Sequence, residues 1–427
     1  NHRKSKGCSP KRKLYKQTLK GLSPFCIVIL YRNTFETSLL LPLDIMADSP
    51  HTPSEAVSSS TPSSLEKWSQ TQLDGMVALH ERFLQGRIGG RRATVKRVDL
   101  SGLSLSGRHL RQADFSGCMM CHMDLSQADF QEASLYACDL SHANLNNAKF
   151  IRADLRGAQI ESARLVGTDL EKADLRMGAM NVVGDTTPAV PMAVNFRGAD
   201  LSGARLGGVM ASSADFSDAL MVNTDMKNAD FRGATFTGAD LTGAKVSGAM
   251  LAGASLTDAI LTGVTLSDIR DHIDIGTAIT DENVGIPLSH LEHPLPKLVD
   301  DHRQWVQTSG AQGRQLDLSG YDLRALRSLK REKLTAIRAE RAKFFGLNLF
   351  EVEMQSSILD GSDFRNCDME GADLRASSLK GANLNHARMK GANLAPLMFG
   401  TGGVGRFAPC DLTGAHLRYA DLSGATL

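Results

Sequence analysis

Residues 229–251 read ADFRGATFTGADLTGAKVSGAML, and a large apolar side chain stands at every fifth position of this stretch. The same spacing covers 100–180, 196–266 and most of 318–427, which gives 52 pentads in all. Only two of those large positions hold a small residue, which is alanine in both cases. A period of five is neither the 3.6 of an α-helix nor the 2 of a flat strand. The pattern therefore predicts an unusual, repetitive backbone rather than ordinary helices and sheets.

The chemistry inside one pentad predicts what that backbone is. In TGADL (237–241) a small residue lies two positions before the large one, with Asp between them, and a polar residue and Gly remain. Small, polar, large is the alternation of a very short strand, and the polar residue with Gly supplies a turn. Four such corners close a square, so about 20 residues make one coil, and successive coils stack about 4.8 Å apart. We expect the coiling to be right-handed, as parallel crossover connections are.

These residues resemble the pentapeptide-repeat family, whose signature is A(D/N)Lxx, over residues 97–270 and 314–427. The resemblance implies an all-β solenoid, a right-handed quadrilateral parallel β-helix, here in two modules. We expect the large residues to stack as a ladder inside the coils. Representative ladder positions are Leu100, Leu105, Phe115, Leu125, Phe130, Leu155, Leu201, Phe231, Leu241, Leu256, Leu374, Leu384 and Leu422.

The chain before the first module has a different composition. Residues 1–45 carry nine Lys or Arg and two Asp or Glu, and Met46 opens a Ser/Thr/Pro-rich stretch, so we predict disorder over 1–64. The basic leader has three interpretations: a signal peptide, a nucleic-acid-binding tail, or upstream sequence with the native start at Met46, which we favour. Because Leu427 is itself a ladder position, we expect either further chain beyond it or an end-to-end homodimer.

Each module is expected to begin with a short helical cap, because a solenoid needs its ends covered. Helical spacing of apolar residues predicts caps at 65–96, with a Ser63/Glu66 capping box, and at 298–313. The two starts resemble each other, since His80-x-x-Phe83 and His302-x-x-Trp305 both lead into Asp-Leu-Ser-Gly. Residues 271–297 are predicted to be an irregular linker.

Within the second module the frame slips once. It would turn Arg327 and Glu332 inward, so we expect one distorted or partly helical coil at 325–343.

Two insertions interrupt regular ladders, at 181–193 and 395–410, and insertions in a solenoid become projecting loops. Loops on a rigid scaffold often carry function, so both are candidate interaction loops. Their candidate residues are Asp185, Thr186, Thr187, Phe399, Val404 and Arg406. A candidate basic face comprises Lys330, Arg331, Arg338 and Arg341.

The motifs that could indicate a cofactor, a metal or catalysis are weak. Residues 118–122, CMMCH, match a c-type haem pattern, but the frame turns Cys118 inward and Cys121 to a corner, so free thiols in a reducing compartment are expected. His290-x-x-His293 lacks further ligands at metal-binding spacing, and the glycine-rich 400–405 lacks the Lys-Ser/Thr of a phosphate loop. We predict no cofactor, no metal and no catalytic residue.

The function expected from these features is a non-enzymatic scaffold for protein–protein interaction. The alternative is a DNA mimic that binds a topoisomerase, since the resemblance includes quinolone-resistance members of the family. A net charge of only +1 disfavours nucleic acid as a partner. No run of about 18 apolar residues exists to span a membrane. We expect a bacterial, cytoplasmic protein whose protein partner the sequence does not identify.

Overall fold

The computed structural model describes residues 65–179, 190–268, 273, 275–326, 328–399 and 406–427. Parallel single-residue bridges join positions 20 residues apart, such as Asp99 with Met119 and Met119 with Asp139. The bridges form two stacks of coils, which we call the first solenoid (residues 94–279) and the second solenoid (residues 317–426). Four pentads therefore make one coil in both stacks.

Each corner is a four-residue turn whose third residue has a left-handed backbone. At one corner the Ala113 N–H donates to the Leu110 carbonyl at 3.1 Å, and Gln112 has φ 62°. A positive φ at this position defines a type II turn, and glycine adopts it without strain. The Gly of the Ser-Gly and Thr-Gly pairs occupies this third position, for example Gly243 with φ 66°.

The Asp or Asn of each pentad has a structural task at the next corner. The Asp99 Oδ1 accepts the Ser101 N–H at 2.9 Å, and the Asn195 Oδ1 accepts the Arg197 N–H at 2.9 Å. This side-chain bond satisfies the first N–H of the corner, which is the Asx-turn preference of these residues. The hydrogen bonds from Ser101 also hold the pKa of Asp99 below its usual value. The acidic residues beside the ladder thus shape the corners of the coil.

The large residues fill the interior of both solenoids. The representative ladder residues are at most 2% exposed, except Leu422, which is half-buried. Aromatic rings stack from coil to coil: Phe196 on Phe216 at 4.9 Å between centroids, and Phe344 on Phe364 at 4.5 Å. Each solenoid has its own apolar core.

A strand and a helix precede the first solenoid. Strand β1 (Glu66–Lys67) pairs in parallel with β2 (Val98–Asp99), and helix α1 spans Gln70–Leu84. The N-cap of α1 is Ser69, which forms a capping box with Gln72. The predicted capping box is therefore wrong, because Glu66 lies in a strand four residues before the helix begins. Ser63 lies outside the described residues.

The segment between the solenoids is more regular than the sequence indicates. After a 3₁₀ turn at Leu266–Asp268, Ile279 forms a parallel bridge with Ile260 and adds a further strand to the first solenoid. Strand β5 (Ile286–Pro287) then pairs in parallel with β6 (Tyr321–Asp322) of the second solenoid. A 3₁₀ turn at Leu288–His290 and helix α2 (Leu295–Gln307) lie between those two strands.

The frame slip in the second solenoid is accommodated locally. A 3₁₀ turn at Arg324–Leu326 takes up the extra residue, and the bridge from Asp317 consequently reaches Arg338, 21 residues away. The Glu332 carboxylate, at a position that is elsewhere small and inward, pairs with Arg303 of helix α2 at 2.7 Å. Arg327 lies outside the described residues.

The two solenoids lie side by side and run in opposite directions. Ile260 shares a small apolar cluster with Phe345, and the Arg365 Nη1 donates to the Asp258 carbonyl at 2.9 Å. Further along the second solenoid the partners lie progressively earlier in the first, which defines an antiparallel arrangement. We call this contact the seam; its polar pairs include Arg365–Asp258, Asn366–Asp240, Asn385–Asp218, His386–Asp218, Arg418–Asp218 and Tyr419–Glu161.

Candidate interaction surfaces

The insertion at 395–410 forms a two-stranded hairpin. Strand β7 (Leu397–Phe399) pairs antiparallel with β8 (Arg406–Ala408), and Met398 is directly opposite Phe407. Met398 is 66% exposed and Phe407 is 70% exposed. Two large apolar side chains that are cross-strand neighbours and mostly exposed form a compact apolar surface.

This hairpin projects away from the first solenoid. The seam includes the corner at Asn385; the chain then passes one corner, at Gly391, and the hairpin begins at the following corner, after Ala395. Because a coil has four corners, the hairpin and the seam lie at diagonally opposite corners of the second solenoid. Its base is fixed, since the Asn393 Oδ1 accepts the Ala395 N–H at 3.1 Å and the ladder resumes with the Ser378–Asp411 bridge.

The insertion at 181–193 is closed by a smaller antiparallel pair, β3 (Gly178–Ala179) with β4 (Pro191–Met192). The Tyr136 hydroxyl anchors it by accepting the Ala179 N–H at 2.6 Å and donating to the Ala179 carbonyl at 2.7 Å. Val190, just before β4, is 73% exposed. This loop therefore also carries an exposed apolar residue at a fixed base.

The candidate loop residues fall partly on these elements. Phe399 ends strand β7 and Arg406 begins β8, so they form the last pair of the second hairpin's ladder. The others lie outside the described residues: Asp185, Thr186, Thr187 and Val404.

The four candidate basic residues do not share one face. Lys330 and Arg331 lie at one corner, where both pack over the Phe350 ring at 4.5 and 5.6 Å. Arg338 lies on the strand between the next two corners, and Arg341 lies at the corner diagonally opposite Arg331.

Two of those four are also neutralised by acidic neighbours. Arg331 pairs with Glu351 at 2.5 Å, and Arg338 pairs with Glu340 at 2.7 Å. The sequence places these cations close together along the chain, whereas the square coil separates them.

Many outward aspartates are neutralised by an arginine two residues later. In the Asp373-x-Arg375 fork, the guanidinium donates to both carboxylate oxygens at 2.8 and 2.6 Å. The same fork occurs at Asp154/Arg156, Asp174/Arg176, Asp230/Arg232, Asp322/Arg324 and Asp363/Arg365. Bidentate pairing fixes both side chains and reduces the negative charge that these faces present.

The Cys118 and Cys121 thiols point to different partners. The Cys118 Sγ is buried 3.4 Å from the Val95 carbonyl, and the half-buried Cys121 Sγ lies 3.9 Å from the Asp139 carbonyl. Burial raises the pKa of each of these thiols to about 11.

The described ranges contain neither a cluster of metal ligands nor a membrane-spanning helix. Within them, no three His, Cys, Asp or Glu side chains come together as a metal site. No helix in that part of the chain is long and apolar enough to cross a membrane. His290 lies in a 3₁₀ turn, and residues 400–405 lie outside the described residues.

Sequence reasoning did not identify Met398, Phe407 or the seam. A signal for the seam exists in hindsight, because Leu220 and Ile260 occupy outward strand positions that usually hold polar residues. Ile260 is fully buried, although its side chain points away from its own core. An apolar residue at an outward position is therefore only a weak mark of a lateral contact, because Met119 and Met210 occupy the same kind of position and are 40% and 37% exposed.

The chain is matched by the family model described as pentapeptide repeats, in eight copies. The copies together cover half of the chain: 99–135, 109–145, 138–176, 192–228, 212–248, 229–268, 357–394 and 407–427. The chain belongs to the pentapeptide-repeat family, and the resemblance predicted from its sequence is confirmed. No curated protein sequence matches it significantly.

Solved structures of pentapeptide-repeat proteins are also similar to the chain. HetL of the cyanobacterium Nostoc sp. strain PCC 7120, described as involved in heterocyst differentiation regulation, is 20% identical over 81% of this chain and 93% of its own, with a TM-score of 0.33. A trypsin-treated variant of QnrB1, a plasmid-mediated fluoroquinolone resistance protein, is 21% identical over 44% of this chain and 90% of its own, with a TM-score of 0.34. Rfr23 of the cyanobacterium Cyanothece 51142 is 29% identical over 29% of this chain and 88% of its own, with a TM-score of 0.16. The family assignment rests on the repeat matches.

Proposed function

We propose that this protein is a non-enzymatic scaffold that binds a protein partner through the β7–β8 hairpin. The observation that carries the proposal is the exposed cross-strand pair of Met398 and Phe407, 66% and 70% exposed. Keeping two such side chains in water forgoes about 1.5–3 kcal/mol each relative to burial. A partner that covers them recovers that free energy.

The chemistry of this pair suits a protein surface. Aromatic residues and Met are enriched at the centres of protein interfaces, and Met adapts to irregular surfaces. The hairpin stands on a rigid ladder and faces away from the seam, so a partner can reach it without separating the solenoids.

The topoisomerase alternative has less support. A mimic of DNA needs a strongly negative face, because it must replace the phosphates of a duplex. In this chain six outward aspartates are neutralised by the arginine two residues later, for example Asp174 by Arg176. Nothing on the described surface favours DNA mimicry over an ordinary protein interface.

We further propose that α1 and α2 are equivalent caps of two duplicated modules. The buried His80 accepts the Ala93 N–H at 3.0 Å, and the buried His302 accepts the Leu316 N–H at 3.1 Å, each through Nδ1. Each ring also stacks on the aromatic residue three positions later, at 5.8 Å in both helices.

A cytoplasmic location is proposed from the cysteines. All five described cysteines are free thiols, and three of them are buried: Cys118, Cys138 and Cys367. Free buried thiols are typical of proteins in reducing compartments.

The interface is tested with a photo-crosslinking amino acid at Phe407 in cells that express the protein. A matched control carries the same group at Met119, which is 40% exposed on the first solenoid. We expect one defined adduct from position 407 only, and purified partner should lose at least ten-fold in affinity for a Met398→Ser/Phe407→Ser variant. Equal adducts from both positions, or unchanged affinity, would contradict the proposal.

A further inference from the structure

The loop that leaves helix α1 is held by backbone hydrogen bonds. The Arg87 N–H donates to the Arg82 carbonyl at 2.9 Å, the Gly86 N–H donates to the Phe83 carbonyl at 3.0 Å, and Gly86 has φ 64°. These are the two hydrogen bonds of a Schellman motif. That motif usually brings apolar side chains together at the positions held here by Arg82 and Arg87.

The next residues form a tight turn with Ile88 at its tip. The Gly90 N–H donates to the Arg87 carbonyl at 3.0 Å, and the Arg91 N–H donates back to the Leu79 carbonyl at 2.9 Å. Ile88 is fully exposed. The fold therefore holds a β-branched apolar side chain in water on a fixed turn, with arginines on both sides.

The surroundings of Ile88 are strongly basic. From Arg82 to Arg111 the chain has eight Lys or Arg and one Asp; of these cations, Lys96 pairs with Asp114, and Arg108 pairs with Asp74 and Glu81 of helix α1. Arg82, Arg87, Arg91 and Arg111 are exposed, and none of them forms an ion pair with another described residue. The six fork arginines, by contrast, are each neutralised by the aspartate two residues earlier.

The second solenoid supplies an internal comparison. Its equivalent loop, residues 308–315, reads TSGAQGRQ and joins α2 to the first coil of that solenoid. Its one charged residue, Arg314, pairs with Glu292 at 3.0 Å, and the loop contains no large apolar side chain. The loop at 308–315 shows that joining a cap helix to the first coil requires neither an exposed isoleucine nor arginines beside it. The composition of residues 82–91 therefore serves another purpose.

We propose that residues 82–91 bind the surface of an anionic phospholipid membrane. The arginines contact lipid phosphates and carboxylates, for which the guanidinium fork is well suited, and Ile88 enters the acyl boundary. Single-stranded nucleic acid fits less well, because it needs an open aromatic face for base stacking. The Phe83 ring is stacked on His80, and isoleucine has no flat face.

The test is co-sedimentation of the full chain with phosphatidylcholine vesicles that contain about one third phosphatidylserine. We expect binding to these vesicles and none to pure phosphatidylcholine, with loss of binding at high salt because the contact is electrostatic. Ile88→Ser should weaken partitioning about ten-fold. Arg87→Gln with Arg91→Gln should weaken it about 25-fold, at about five-fold per charge.

The matched control is Arg314→Gln in the equivalent loop, which should leave partitioning unchanged. The thermal midpoint of Ile88→Ser should equal that of the unaltered protein, because this side chain packs against nothing. The proposal is overturned by absence of binding to the anionic vesicles, or by equal binding of all variants. The proposal is also overturned if the protein binds single-stranded RNA more tightly than it binds the anionic vesicles and Ile88→Ser leaves that RNA binding unchanged. The proposal is independent of the hairpin function, whose variants should bind vesicles normally.

Discussion

Replacing Arg365 with Met should destabilise the protein far more than the same change at Arg375. Both arginines form the same fork, with Nε to Oδ1 at 2.9 and 2.8 Å and Nη2 to Oδ2 at 2.6 Å in each. They differ in burial, since the side chains of Arg365 and Asp363 are each 5% exposed, against 34% and 20% for Arg375 and Asp373.

The magnitude follows from what each change leaves behind. Arg365→Met leaves the Asp363 carboxylate buried without its partner, which costs about 3–5 kcal/mol. It also removes the bond across the seam to the Asp258 carbonyl. Burial alone would lower the pKa of Arg365, but the carboxylates of Asp363, Asp240 and Asp258 outweigh it and raise that pKa. The solvent-screened Arg375 pair is worth about 0–1 kcal/mol.

Urea unfolding of the two variants measures the difference, which should be at least about 2 kcal/mol in the free energy of unfolding. The double variant Asp363→Asn/Arg365→Met should recover part of the loss, because no unpaired charge then stays buried. Hydrogen exchange should increase near Asp258 in Arg365→Met and not in Arg375→Met. Equal losses of stability in the two single variants would refute the reasoning.

Two further predictions concern the seam and a cap. A Cβ on Gly198 would lie 2.5 Å from the Tyr419 ring, whereas a Cβ on Gly203, which has the same left-handed backbone, would meet open space. Gly198→Ala should therefore lower the free energy of unfolding by about 1–3 kcal/mol more than Gly203→Ala does. Urea unfolding of both variants measures this difference, and equal losses would show that the ring does not pack there. Burial lowers the pKa of His302 below its usual 6.5. The stability that neutral His302 contributes should therefore be complete above pH 6.5 and decrease as the pH falls below 6.5, because a protonated ring cannot accept the Leu316 N–H. Between about pH 7.5 and about pH 4.5, the free energy of unfolding should decrease less in a His302→Asn variant than in the unaltered protein. Equal decreases in the two proteins would mean that other groups cause the pH dependence.

The coil was predictable because every pentad encodes its own geometry. TGADL specifies a strand, a ladder residue and a corner within five positions, so the prediction needs no distant contact. The start of α1 was misplaced by contrast. The pair Ser63/Glu66 and the pair Ser69/Gln72 both fit the capping pattern, and pairing of Glu66–Lys67 with Val98–Asp99 decides between them. That pairing joins residues 32 positions apart.

The candidate site was less predictable for the same reason. Asp218 meets Arg418 across 200 residues, and no local pattern contains that distance. The insertion at 395–410 was recognised as a projecting loop, but which of its residues are exposed depends on cross-strand register. Register places Met398 and Phe407 opposite each other, whereas the sequence drew attention to Phe399 and Arg406.

The central structural claim is that the second solenoid turns back along the first and leaves the hairpin corner free. Fluorescence resonance energy transfer between unnatural amino acids at Arg164 and His416 tests it most directly, because both positions lie three residues from Glu161 and Tyr419, which meet at 3.3 Å. The antiparallel seam predicts high transfer efficiency, at a separation of about 20 Å. Two solenoids continued end to end would separate the labels by on the order of 50 Å, at about 4.8 Å per coil. Low transfer in the folded protein would contradict the account.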